Sequence, residues 1–154
     1  LSPTESITWR CLPFDALHAR TLYRLLQLRT EVFVMEQNCA FQDMDGADPA
    51  CFHLLGESRD DALLGYARLV PAGLKFSEVS IGRVISAQAA RGTGMGHVLM
   101  REAVRAAHEL WGVQPIRIGA QARLQAFYRQ HGFEAASAIY LEDGIDHIEM
   151  LRAT

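Results

Sequence analysis

The sequence predicts an α/β fold in a single domain, and three observations carry that expectation. The chain has 154 residues, 49% hydrophobic and 21% charged, the balance of a globular domain with a real core. Short β-type runs and two long segments with apolar residues near 3.6-residue spacing follow one another in the order β-α-β-β-β-α-β-α-β-β. No internal repeat or low-complexity tract interrupts them, so one domain is expected over 1–154.

Residues 7–12 read as a first strand ended by Pro13. Asp15 is expected to cap a helix running to about Phe33, with Leu17, Leu22, Leu25, Leu26, Arg29 and Phe33 near helical spacing. The polar stretch 38–49 is too short for an interdomain linker and long for a plain connection. Residues 52–56 and 63–70 look like two strands joined by a turn at 58–61, and 78–86 like a third after Pro71-Ala72-Gly73. A helix over 94–110 turns Val98, Leu99, Ala103, Ala106 and Leu110 inward. Residues 115–120 are an apolar strand and 122–130 a short helix, with Gly132 as its left-handed stop. Strands over 133–141 and 147–152 close the chain, joined around Asp143-Gly144.

Several classes are excluded. No apolar run approaches the roughly 20 residues that span a bilayer, so no membrane partner is expected. Residues 1–10 lack the basic start and apolar stretch of a signal peptide. Cys11, Cys39 and Cys51 are odd in number and match no metal or redox spacing, which points to a reducing cytoplasm. Cys39 and Cys51 are expected to be small core residues. Asp43-Met44-Asp45-Gly46-Ala47-Asp48 is no calcium loop, because its glycine falls early and Leu54 stands where the bidentate Glu belongs.

Charge is segregated. From Arg83 to Arg129 seven arginines face two glutamates, a local balance of +5 that leaves −8 for the rest of a chain of net charge −3. Residues 31–48 and 142–149 hold nine of the eighteen acids, and neither stretch contains a lysine or arginine. The basic segment invites an anion and the acidic ones a cation. A nucleic-acid binder would need a broad positive field, which this balance argues against.

The most informative motif is Arg91-Gly92-Thr93-Gly94-Met95-Gly96, between a strand and an amphipathic helix. Glycines let the backbone bend sharply, and the free amides of a helix's first turn attract an anion. A P-loop needs Lys-Ser/Thr after its last glycine, where His97-Val98 stand. The dinucleotide fingerprint needs two residues between its second and third glycines, where only Met95 intervenes. What remains is a diphosphate cradle without magnesium machinery.

That motif resembles the acetyl-coenzyme A loop of the GNAT acetyltransferases, Gln/Arg-x-x-Gly-x-Gly/Ala. Gln125-Ala126-Phe127-Tyr128-Arg129-Gln130-His131-Gly132-Phe133 is similar to the later GNAT signature of an aromatic, Tyr, two variable residues and Gly-Phe. The stretches 28–37, 81–84, 119–122 and 142–148 resemble the ElaA branch, so that the likeness runs from about Trp9 to Met150. Arg123 stands where relatives often carry His, and Asp146 where they often carry Pro.

The resemblance implies a single-domain GNAT fold, a mixed central sheet of about seven strands with flanking helices. It implies an acetyltransferase, a transferase of groups other than aminoacyl groups, using acetyl-CoA as co-substrate and no metal. An acceptor amine, on a small cationic molecule or a protein, would attack the thioester directly in a ternary complex. Val84, Ile85 and Ser86 would pair with pantetheine, and Arg91, Gly92, Thr93, Gly94, Met95 and Gly96 would hold the diphosphate. Tyr128 would sit at the sulfur and protonate the thiolate. Glu78 is the first candidate base, offset by two residues from the position matching Ser80, where some relatives carry glutamate; His53, His147 and water are the others. Glu36, Asp43, Asp45, Asp143 and Asp146 would form an amine-attracting mouth, with His147 beside it. A homodimer is left open. Leu28-Arg29-x-x-Val32-Phe33-Val34-x-Glu36 is also similar to acyl-homoserine lactone synthases, and a CoA-binding sensor without chemistry is the non-enzymatic alternative.

Overall fold

A computed structural model describes residues 7–154. Four strands, β1 (Thr8–Pro13), β2 (Phe52–Glu57), β3 (Leu63–Val70) and β4 (Ser80–Ser86), form an antiparallel sheet in sequence order. A second antiparallel sheet contains β5 (Ile116–Gln121), β6 (Phe133–Ala135), β7 (Tyr140–Glu142) and β8 (Ile145–Arg152). In it β8 pairs with β5 on one side, and on the other with β6 and β7 end to end. Among the described residues a single parallel bridge, Val79 to Ile116, joins the sheets, and the Arg117 amide donates to the Val79 carbonyl at 3.0 Å.

The first sheet is covered on both faces. Leu55, Tyr66 and Ile85 pack with Leu25 and Leu28 of α1 (Ala19–Arg29). Leu54, Ala67, Leu69 and Ile81 pack with Leu99, Met100 and Ala103 of α2 (Met95–Trp111). The same cluster takes in Ile116, Ile118, Ile148 and Met150, so one core spans both sheets. These are alternate strand positions against a helical stripe, the pattern that let the sequence be parsed. α3 (Gln125–Arg129) is short, and Gly132 follows at φ +89° as its stop. Asp143 (φ +51°) and Gly144 (φ +76°) make the two-residue turn between β7 and β8, whose left-handed conformations Asp-Gly accepts.

Three sequence expectations need correction. Asp15 lies in a separate 3-10 turn, Phe14–Ala16, while His18 caps α1 without a side-chain bond. The helix does not reach Phe33 in α form. It ends at Arg29 and widens into a π-helical turn, Thr30–Glu36, where the Thr30 hydroxyl donates to Leu26 O at 3.0 Å. β-branched Thr30, Val32 and Val34 lower the α-helical propensity of that stretch. The expected strand 133–141 is two strands, giving eight described strands rather than seven. Between them Ser137 Oγ accepts the Glu149 amide at 2.9 Å in place of a backbone carbonyl.

The connection between α1 and β2 is held by buried charge. Arg29, fully buried, donates to Asp43 Oδ2 at 2.8 Å and to Asp48 Oδ1 at 2.7 Å. Arg68 binds both Asp45 oxygens at 2.9 Å, and Arg83 Nε binds Asp43 Oδ1 at 2.8 Å. The bonds from Arg68 hold the Asp45 carboxyl below the usual range. Burial pushes Asp48 upward, but Arg29 and Arg68 together outweigh it and hold it low. Both groups therefore bind fewer protons folded than unfolded at mildly acid pH. Their stabilisation is complete above the ordinary carboxylate range and is lost as pH falls toward their folded values. Urea unfolding should show stability level near neutrality and declining below about pH 4. Arg29→Ala should cost about 3–5 kcal/mol at pH 7, by stranding buried carboxylates, and should flatten that acid limb.

Candidate active site

The cleft arises where β4 and β5 part. They touch at Val79 and Ile116, and beyond that bridge no ladder bonds join them. A bulge in β4 contributes to the opening: Gly82 pairs with Arg68 and Ile85 with Tyr66, so Arg83 and Val84 together face Ala67. Arg83 accordingly holds a left-handed φ of +50°, unusual for a residue with a Cβ. The gap is a cleft of about 580 Å³ between residues 81–86 of β4 and 118–121 of β5. The π-helical turn, Gly96, Tyr128 and the β7–β8 turn complete its walls.

At one end lies the glycine-rich turn. Gly92 and Gly94 stand at φ +78° and +82°, and a Cβ at either would meet nothing within 4 Å. Backbone conformation, not crowding, therefore demands glycine, and the space beside the main chain is open. Gly94 caps α2 without any side chain, so the helix presents uncapped first-turn amides and its positive dipole end. Arg91 donates from Nε to Ser86 O at 3.2 Å and from Nη2 to Glu36 at 2.8 Å, an exposed pair. These features fit a diphosphate. Val84, Ile85, Ser86, Arg91 and Gly96 line the cleft. Gly92, Thr93 and Gly94 are exposed at its rim, while the Met95 side chain is buried in the core and leaves only its backbone to the turn.

Tyr128, on α3, is 8% exposed, faces the cleft, and packs edge-on against Phe127 and Phe133. Burial pushes its phenol up to about 12, so the hydroxyl keeps its proton at neutral pH. His147 lines the other end; its Nδ1 donates to Ile145 O at 2.7 Å, and its Nε2 lies 3.5 Å from Glu142 Oε2. Asp143 and Glu36 also line the cleft.

Other expected residues stand elsewhere. Glu78 does not line the cleft: Arg117 Nε and Nη2 grip its two oxygens at 3.0 and 3.1 Å, and this pairing holds the carboxyl down to about 2. Such a group is a poor proton acceptor at neutral pH. Asp43 and Asp45 are no open acidic mouth, because internal arginines neutralise them. Asp146 is exposed and lines no part of the cleft. His53 is fully buried, its Nε2 donating to Asp48 O at 3.0 Å and its Nδ1 accepting from the Tyr66 hydroxyl at 2.7 Å. Cys51 is in the core as expected, whereas Cys39 lines the cleft, its thiol donating to Asp143 O at 3.2 Å. Among the described residues no cluster of three or more His, Cys, Asp or Glu is arranged to hold a metal ion.

Sequence reading missed Phe41, Lys75, Arg83 and Gln121 as cleft residues. One signal was available: Lys75 is the only lysine in a chain whose other fourteen basic side chains are arginines.

The family described as "Acetyltransferase (GNAT) domain" matches residues 25–153. Protein ElaA of Escherichia coli is 43% identical over 148 residues, 95% of this chain and 96% of that one. Its crystal structure superposes with a TM-score of 0.88, covering 95% and 99% of the two chains at 42% identity. An acyl-CoA N-acyltransferase from Pseudomonas aeruginosa is 49% identical, with a TM-score of 0.91 over 96% and 100%. A CoA-dependent acyl-homoserine lactone synthase, BjaI, shares the fold at a TM-score of 0.79 but only 15% identity. Glu78→Gln is expected to leave acyl-CoA-dependent acyl transfer within about twofold of wild type, measured by initial rates of thiol release, since a partly exposed ion pair outside the cleft is worth little.

Proposed function

The chain belongs to the GNAT acetyltransferases, in their ElaA-like branch, and from that premise we propose that it transfers an acetyl group from acetyl-CoA to an amine by direct attack. The observation that carries the reading is the wedge between β4 and β5, with an uncapped helix and Arg91 at its mouth and a protonated tyrosine on its wall.

β4 ends its sheet, so beyond Val79 its outer edge offers unpaired N–H and C=O groups to an extended ligand. Val84 to Ser86 would hold pantetheine along that edge. The backbone around Gly92–Gly96 would receive the diphosphate, Arg91 exchanging Glu36 for a phosphate oxygen. The amine nitrogen bonds to the thioester carbon as the carbon–sulfur bond breaks. Tyr128 Oη gives its proton to the departing sulfur, and the amine's surplus proton goes to His147 Nε2 or to water. At neutral pH the phenol carries the proton that this step requires.

Thiol release from acetyl-CoA in the presence of amines tests the proposal. Tyr128→Phe should lower turnover about 10²- to 10⁴-fold with little change in acetyl-CoA affinity; an undiminished rate would remove Tyr128 from the reaction. Binding of acetyl-CoA with no amine ever acetylated would leave only a CoA-binding module. Glu36→Gln should tighten acetyl-CoA binding by about two- to fivefold in isothermal titration, the worth of freeing Arg91 from an exposed pair.

A further inference from the structure

A second cavity of about 570 Å³ adjoins the cleft, and Phe41, Lys75, Arg83, Glu142 and Asp143 line both. Its charge is what matters. Asp45, on its wall, is committed to Arg68, and Asp43 to Arg29 and Arg83. Arg83 uses Nε and Nη2 on Asp43, brings Nη2 within 3.5 Å of Asp45 Oδ2, stacks over the Phe41 ring at 5.6 Å, and leaves Nη1 with no hydrogen bond among the described residues. Lys75, poised over the Phe76 ring at 5.7 Å, has no ion pair among the described residues. The Asp143 carboxylate is likewise without an ion pair among the described residues, and Glu142 reaches only His147, at 3.5 Å. The junction therefore sets Lys75, and the one open guanidinium nitrogen of an otherwise paired Arg83, against two acids on the β7–β8 turn. Val70, Leu74 and Phe41 add apolar wall.

A polyamine or simple alkylamine would meet those cations with nothing to offer them. An acceptor carrying a carboxylate as well as its amine answers both signs. We propose that the acceptor is a small amino-carboxylate, its carboxylate bound by Lys75 Nζ and Arg83 Nη1 where the cavities meet, and its amine directed into the β4–β5 gap past Glu142 and Asp143. This rests on the acyltransfer reading above. Charge-assisted bonds to a carboxylate are the strong kind, so Lys75 acts as a specificity residue and not as part of the chemistry.

The test uses matched acceptors, each as the free acid, the carboxamide and the decarboxylated amine, with full-length protein and acetyl-CoA. Wild type should favour the free acid in kcat/KM by about tenfold or more. Lys75→Met should raise KM for the free acid about ten- to a hundredfold, leaving kcat and both uncharged analogues near their wild-type values, and Lys75→Arg should restore the preference. Lys75 lies on an exposed loop, so these variants should fold; circular dichroism and acetyl-CoA titration check that they do. Equal use of all three acceptor forms, or a Lys75→Met defect shared equally among them, would overturn the proposal while leaving acyltransfer standing. Acetyl-CoA binding with no acetylation of any acceptor would overturn both.

Discussion

Asp43 ties the site together. Its carboxylate takes Arg29 on one oxygen and Arg83 on the other, and its carbonyl accepts from both guanidinium groups, at 3.1 and 2.9 Å. One residue thus joins the end of α1, the long connection and the bulge of β4. Buried ions are costly unless geometry satisfies them, which makes this arrangement intolerant of displacement. The left-handed Arg83 stands where that grip is applied, and the bulge it belongs to turns β4 away from β5. One core spans both sheets and holds the strands near one another, while the charged contacts fix the bulged segment of β4 beside the gap.

The legible parts of the sequence were the local ones. Glycines at 92, 94, 132 and 144 marked turns whose positive φ values they adopt, and the apolar stripe of α2 was visible from its spacing. The tyrosine motif placed Tyr128 on a short helix facing the cleft. What could not be read depended on partners far along the chain. The acids of 31–48 looked free because Arg68 and Arg83 lie outside that segment. Glu78 looked available because nothing local reveals that Arg117, 39 positions later, reaches across the bridge between sheets. The π-helical turn was hidden for another reason: its apolar spacing is close enough to that of an α-helix to pass for one.

The basic segment also divides once its contacts are known. Arg83 and Arg117 serve internal ion pairs, and Arg105 pairs with Glu102 and Glu109 along its own helix. Arg91 and Arg123 are the ones that line the cleft along with Arg83. A positive run in sequence is therefore not a uniform field: part of it stabilises the fold, and a smaller part faces the gap.

The backbone bridge at Val79 and Ile116 has one more consequence. Strands that part toward the glycine-rich end rejoin there, so a ligand entering from that end would approach the point where they meet. In the proposed reaction such a reunion would bound the room beyond the reacting carbonyl with main-chain atoms, which side-chain substitution cannot easily move.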